Sequence, residues 1–141
     1  MNLSFLLHRL SSSRLIRFAL VGGAGFFVNE AALVAAKLAL GMNDHTGWLF
    51  GFAVAVTFTW WGNRNLTFHD RKSDGVMGMA AEWARFVATN SFGAAANFAV
   101  YSLLIAFAPW PLNVAYLALV FGVLIGLIFN FTLSKKVVFR N

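Results

Sequence analysis

Residues 86–108 read FVATNSFGAAANFAVYSLLIAFA and residues 112–133 read LNVAYLALVFGVLIGLIFNFTL, with no charged side chain in either stretch. A helix that crosses a bilayer needs about 20 mostly apolar residues, each rising about 1.5 Å through hydrocarbon about 30 Å thick. Both stretches meet that requirement. Pro109-Trp110-Pro111 lies between them, and proline cannot continue a helix interior, so the connection is tight. Upstream, residues 18–40 form a similar span interrupted by Glu30 and Lys37. Residues 48–62 form a shorter one that Thr46 and Asn63 can extend, and the polar run 41–47 separates this first pair.

Composition agrees. Of 141 residues, 60% are hydrophobic and 11% charged, with a mean hydropathy of +0.71. Soluble domains carry about 25% charged residues, and small ones leave much of their surface wet, so lipid must be part of this chain's solvent. The absence of cysteine removes disulfides, thiolate metal sites and cysteine nucleophiles.

Orientation follows from the cations. Of the eleven lysines and arginines, all but Lys37 fall before the first span, between the second and third, or after the fourth. That asymmetry predicts four transmembrane helices with both termini and the central loop in the cytoplasm. Topology anchoring and attraction to anionic lipid account for most of these residues without a specific site. Nucleic acid is not an expected partner despite a net charge of +6, because no basic run is interleaved with exposed aromatics. The first span is longer than the apolar region of a signal peptide. Ahead of it, Leu3, Leu6, Leu7 and Leu10 share one helical face, the pattern of an interfacial segment over about 1–14.

The chain also repeats itself. Arg17-Phe18 matches Arg85-Phe86 at an offset of 68, which also pairs Gly25 with Gly93 and Asn29 with Asn97. At an offset of 71, Arg64-Asn65-Leu66-Thr67-Phe68 matches Lys135-Lys136-Val137-Val138-Phe139, and Gly51 meets Gly122. The expected architecture is therefore an all-α membrane protein, one transmembrane domain over 1–141. It has two parallel two-helix repeats, about 15–68 and 85–140, joined by a loop of about 69–84. Its later part, residues 77–83, reads as a short helix on the membrane surface. Parallel repeats occur in transporters that bind substrate where the halves meet; a duplication that only makes a stable bundle fits equally.

These features carry a resemblance. The Arg17-Phe18 opening, a glycine-rich first span with Asn29, a second span ending Asn63-Arg64-Asn65-Leu66-Thr67-Phe68, and a fourth span running from Asn130-Phe131-Thr132 to Phe139 resemble the GtrA-like membrane proteins. The resemblance covers about 15–140, although Thr59 stands where Asn130 would suggest asparagine. It implies a multi-pass protein of the bacterial inner membrane that moves a polyprenyl-phosphate-linked sugar from the cytoplasmic to the outer leaflet. The product would modify cell-surface polysaccharide.

Several residues fit that chemistry. Arg17, Arg64, Arg85 and Lys135 lie at the cytoplasmic ends of the spans, where a lipid phosphate would first dock, and arginine offers a bidentate fork. Glu30 lies 13 residues past Arg17, about 20 Å along the helix. A charge at that depth costs roughly 2.5–3.5 kcal/mol, so it should face the bundle interior or a wet cavity. It reads either as a hydrogen-bond acceptor for sugar hydroxyls or a proton site, or as a neutral acid bonded to a neighbouring helix. Asn29 and Asn97, with Asn130 nearer the cytoplasmic end, extend a polar path; helix–helix bonding is the other reading. Lys37 is expected to snorkel to the outer surface. The small residues Gly22, Gly23, Gly25 and Gly93 permit close helix approach, and the five tryptophans sit near span ends as interfacial anchors.

No catalytic residue, metal or cofactor is expected, since the histidines are scattered and paired carboxylates are absent. Two other functions remain open: a small proton-coupled drug exporter using Glu30, and a non-transporting adaptor of a membrane glycosyltransferase. Four short helices enclose little space, so a homo-oligomer such as a dimer is expected.

Overall fold

The computed structural model describes residues 13–140, so the interfacial segment expected ahead of the first span lies outside the described residues. They form four α-helices: α1 (Arg14–Leu40), α2 (Asp44–Gly62), α3 (Gly75–Phe107) and α4 (Ala115–Leu133). Short π-helical ends follow the second and fourth, π1 (Asn63–Thr67) and π2 (Ser134–Val138). Among the described residues, Arg14–Leu40, Gly75–Phe107 and Leu117–Val138 are long and apolar enough to cross a membrane, and only 6–22% of their most apolar windows is buried inside the chain. Their large side chains point outward: Phe27 is 73% exposed and Leu38 84%. An apolar exterior of that extent requires an apolar solvent. The second helix equals α4 at 19 residues, but its tryptophans, threonines and glycines make it the less apolar.

Local chemistry sets the ends. Gly41 closes α1 in the left-handed region at φ 63°, which glycine tolerates without a Cβ penalty, and Met42 N–H reaches back to Ala36 O at 3.1 Å. Asn43 then caps α2, its side chain accepting from the N–H groups of His45 and Thr46 at 3.1 and 3.0 Å. The first hairpin turn is thus only residues 41–43, shorter than the polar run suggests. Lys37 pairs there with Asp44 rather than simply reaching for solvent. The surface helix expected over 77–83 is instead the start of α3, which continues unbroken into the apolar stretch.

The chain divides into two compact units, the first ending at Trp83 and the second covering Ala84–Arg140. Each contains the same device. In the first, a Cβ on Gly25 would lie 2.2 Å from Thr59 Cγ2, and one on Gly51 would lie 2.9 Å from Asn29 Oδ1 and 3.0 Å from Asn29 O. In the second, a Cβ on Gly93 would collide with the Asn130 amide, and one on Gly122 would lie 2.5 Å from Asn97 Oδ1 and 2.9 Å from Asn97 O. Glycine is needed because the facing helix occupies the place of its side chain. At the π-helical ends, Phe68 N–H bonds Asn63 O and Phe139 N–H bonds Ser134 O, both at 2.8 Å. Phe18 meets Phe68 edge-on at 6.3 Å, and Phe86 meets Phe139 likewise at 6.3 Å. The repeat read from sequence is therefore a repeat of packing. Gly22 and Gly23 take no part in it, having no neighbour within 4 Å of a Cβ position.

At the end of the first unit where α1 begins, Arg14 bonds Asp70 at 2.6 Å. Desolvation pushes the Asp70 carboxyl up, but its own backbone N–H and the Arg14 guanidinium outweigh this and hold it below the usual range.

Two outcomes follow. Gly122→Ala should lower stability by about 1–3 kcal/mol through overpacking against a backbone oxygen, whereas Gly23→Ala should be neutral or slightly stabilising; thermal unfolding in detergent compares them. Because the folded Asp70 carboxyl is depressed, its contribution is present above the unfolded value of about 3.9 and is lost as pH falls through the folded one. The wild type should therefore exceed Asp70→Asn in melting temperature at neutral pH, with the difference shrinking once pH falls below the unfolded value.

Candidate functional site

Polar groups in the first unit gather where α2 ends, around a carboxylate whose importance sequence reading did not single out. Glu82 is fully buried. Its Oε1 accepts from Trp60 Nε1 at 3.0 Å, and its Oε2 accepts from an Arg64 guanidinium nitrogen at 2.6 Å and from Ser73 N–H at 2.8 Å. Arg64, itself only 6% exposed, also donates to Ser73 O at 2.6 Å, and its guanidinium lies 5.9 Å from the Trp60 ring centroid. A buried ion is tolerable only when its partners replace lost water, and Glu82 has three donors. The cluster ties α2 and π1 to residues 73–82. Trp60 is consequently a buried donor rather than the interfacial anchor expected of it, while Trp48, Trp61 and Trp110 stay exposed.

The first expected phosphate-binding residue has a different setting. Arg17 lines an open cavity of about 360 Å³ with Leu20, Val21, Asn65, Leu66 and His69. Residues from one turn of α1 face residues from π1 and the following turn. The π-helical winding, ending on the Phe68–Asn63 bond, brings Asn65 and His69 to that wall together. Asn65 donates to Trp61 O at 2.8 Å, which leaves its own carbonyl to accept. The lining thus combines a cation, an imidazole and an amide with aliphatic walls, a mixture suited to a charged group attached to hydrocarbon.

The remaining sequence candidates fall apart into separate settings. Asn29 and Asn97 lie in the helix seams against Gly51 and Gly122, and the Asn130 amide lies against Gly93. Among the described residues, Asn130 Oδ1 is buried without a hydrogen-bond partner. Glu30 is exposed on α1, accepting from Asn29 Nδ2 at 3.4 Å. In the second unit Lys135 is exposed, while Arg85 is part-buried and donates to Val138 O at 3.5 Å. Among the described residues no cluster of histidine and carboxylate could hold a metal.

His69, which lines the cavity, and Glu82, which anchors the buried cluster, are what sequence reading did not single out. A signal existed for His69: it follows the Phe68 that closes the repeat, as Arg140 follows Phe139. The family model for the GtrA/DPMS transmembrane domain matches residues 17–139. No curated protein matches the chain.

Removing one partner of a buried ion pair leaves the other uncompensated, typically at 3–5 kcal/mol. Glu82→Gln should therefore lower stability by an amount of that order. Adding Arg64→Met should restore part of it, a non-additivity that a double-mutant cycle of thermal unfolding reads directly.

Proposed function

Because this chain belongs to the GtrA/DPMS transmembrane-domain family, we propose that it translocates a polyprenyl-phosphate-linked sugar across a bacterial inner membrane for modification of cell-surface polysaccharide. The observation that carries this reading is the Arg17 cavity. A lipid phosphodiester joins one negative charge to a long hydrocarbon, and the cavity sets Arg17, His69 and Asn65 beside Leu20, Val21 and Leu66. Arginine holds phosphate through paired N–H donors, and the aliphatic walls take the first carbons of the chain.

In this proposal all four helices span the membrane as two parallel repeats, with both termini cytoplasmic, so the phosphate docks from the cytoplasmic leaflet. Arg85 and Lys135 supply the second unit's cations, whereas Arg64 contributes through its bond to Glu82, holding the cavity wall. The sugar passes by Glu30 and the seam amides Asn29, Asn97 and Asn130 while the prenyl tail stays in lipid. The working form is a homo-oligomer, and a membrane glycosyltransferase making the lipid-linked sugar is its natural partner.

Purified protein in liposomes should move such a lipid between leaflets when the correct sugar is supplied. Arg17→Gln with His69→Gln should slow that exchange by about tenfold or more, since a charge-assisted bond contributes about 1.5–3 kcal/mol. Exchange at the wild-type rate in the double variant would defeat the assignment of the cavity.

A further inference from the structure

The repeat gives the second unit counterparts of the residues that line the Arg17 cavity, and their charge is different. The two offsets of the repeat carry Arg17 onto Arg85, Asn65 onto Lys136 and His69 onto Arg140. The aliphatic Leu20 and Leu66 become Ala88 and Val137. The transfer rests on shared packing as well as alignment. The edge-on phenylalanine pair has the same 6.3 Å separation in both units, and the bond closing each π-helical end is 2.8 Å in both. The glycine–side-chain contacts recur too. Within the second unit, Arg85 is held beside the π2 end by its 3.5 Å bond to Val138 O, which sets it near the segment bearing Lys136 and Arg140.

Two further observations bear on this place. Among the described residues, Arg85 Nε is buried and has no hydrogen-bond partner. All five side-chain carboxylates of the chain precede Ala84, so Arg85, Lys135, Lys136 and Arg140 stand in a unit with no aspartate or glutamate. In the first unit, by contrast, Arg64 and Arg14 are engaged by Glu82 and Asp70.

We propose that Arg85, Lys136 and Arg140 form a second phosphate-binding site, more strongly cationic than the Arg17 cavity, for a lipid whose headgroup carries a phosphate monoester. The inference rests on reading the Arg17 cavity as a phosphate site. Three cations in place of one cation, an amide and an imidazole match a dianionic headgroup better than a diester. Ala88 and Val137 provide the apolar flank that a lipid needs and a free phosphate ion does not. Arg85 positions the headgroup through its fork, while Lys136 and Arg140, both exposed, supply charge.

The test is native mass spectrometry of the full chain, purified in neutral detergent, with dioleoyl phosphatidic acid as probe and phosphatidylcholine as control. Two phosphatidic acid molecules should be retained per chain and no phosphatidylcholine. Lys136→Gln with Arg140→Gln, both surface substitutions, should keep the wild-type melting temperature and weaken one of the two bindings about 10- to 30-fold, the effect of two interfacial cations. Retention of both lipids at unchanged affinity in that variant would overturn the proposal. Displacement by inorganic phosphate at equal concentration would also overturn it, by showing that the site takes the free ion. Binding in detergent is read without translocation, so its failure leaves the leaflet-exchange result standing, and the reverse holds equally.

Discussion

In an apolar solvent, the burial of leucine against leucine no longer drives helices together, so the backbones must approach closely enough for dispersion and polar contact to hold them. The contact of glycine with a facing asparagine meets that need in each unit. Asn29 lies on Gly51 and Asn97 on Gly122, each bringing both its side-chain oxygen and its backbone oxygen to about the place a Cβ would take. Everything at the basic ends follows from this depth of approach. It fixes where α1 meets α2 and where α3 meets α4, and therefore where each π-helical end can turn back on the arginine–phenylalanine pair that opens the unit.

That frame is duplicated, but its polar fittings are not. In the first unit the cation after the second helix, Arg64, is drawn inside by Glu82 and Ser73, leaving Arg17 and His69 to line the open cavity. In the second unit the equivalent Lys135 has no such carboxylate and stays exposed. Sequence reading expected the buried carboxylate to be Glu30, which is exposed, whereas the buried one is Glu82. Glu82 makes the halves differ, because a fully buried carboxylate with three donors organises the loop around it, whereas Glu30 accepts one long bond from its neighbour Asn29.

The apolar stretches, the hairpin turns and the repeat were legible because each depends on local composition or on spacing within one chain. The offsets matched Phe18 with Phe86 and Phe68 with Phe139, but did not show the ring contacts, which join Phe18 to Phe68 and Phe86 to Phe139. Glu82 was not legible, since its meaning depends on Trp60 and Arg64 arriving from 22 and 18 residues away. The joining of residues 77–83 to α3 was equally hidden: the polar, mixed character of that stretch fits a surface helix until Glu82 is seen to be buried. Gly22 and Gly23 show the opposite limit. Their composition suggested helix packing as strongly as Gly25 did, yet only Gly25 of the three meets α2; Gly23, two residues away, points to the other side of the helix.

The seam also reassigns the amides. An asparagine pressed against a glycine backbone is constrained by that contact, and its polarity serves the helix pair before it serves anything passing by. Asn130 sharpens the point. Where Thr59 satisfies itself by back-bonding to Ala55 O and Val56 O at 2.9 and 3.1 Å, Asn130 presents a buried oxygen with no donor. A threonine hydroxyl can return its proton to its own helix, but an amide oxygen can only accept. The same position in the frame is thus self-sufficient in one unit and unsatisfied in the other. The unit with the unsatisfied acceptor is also the one whose lysines and arginines share it with no side-chain carboxylate.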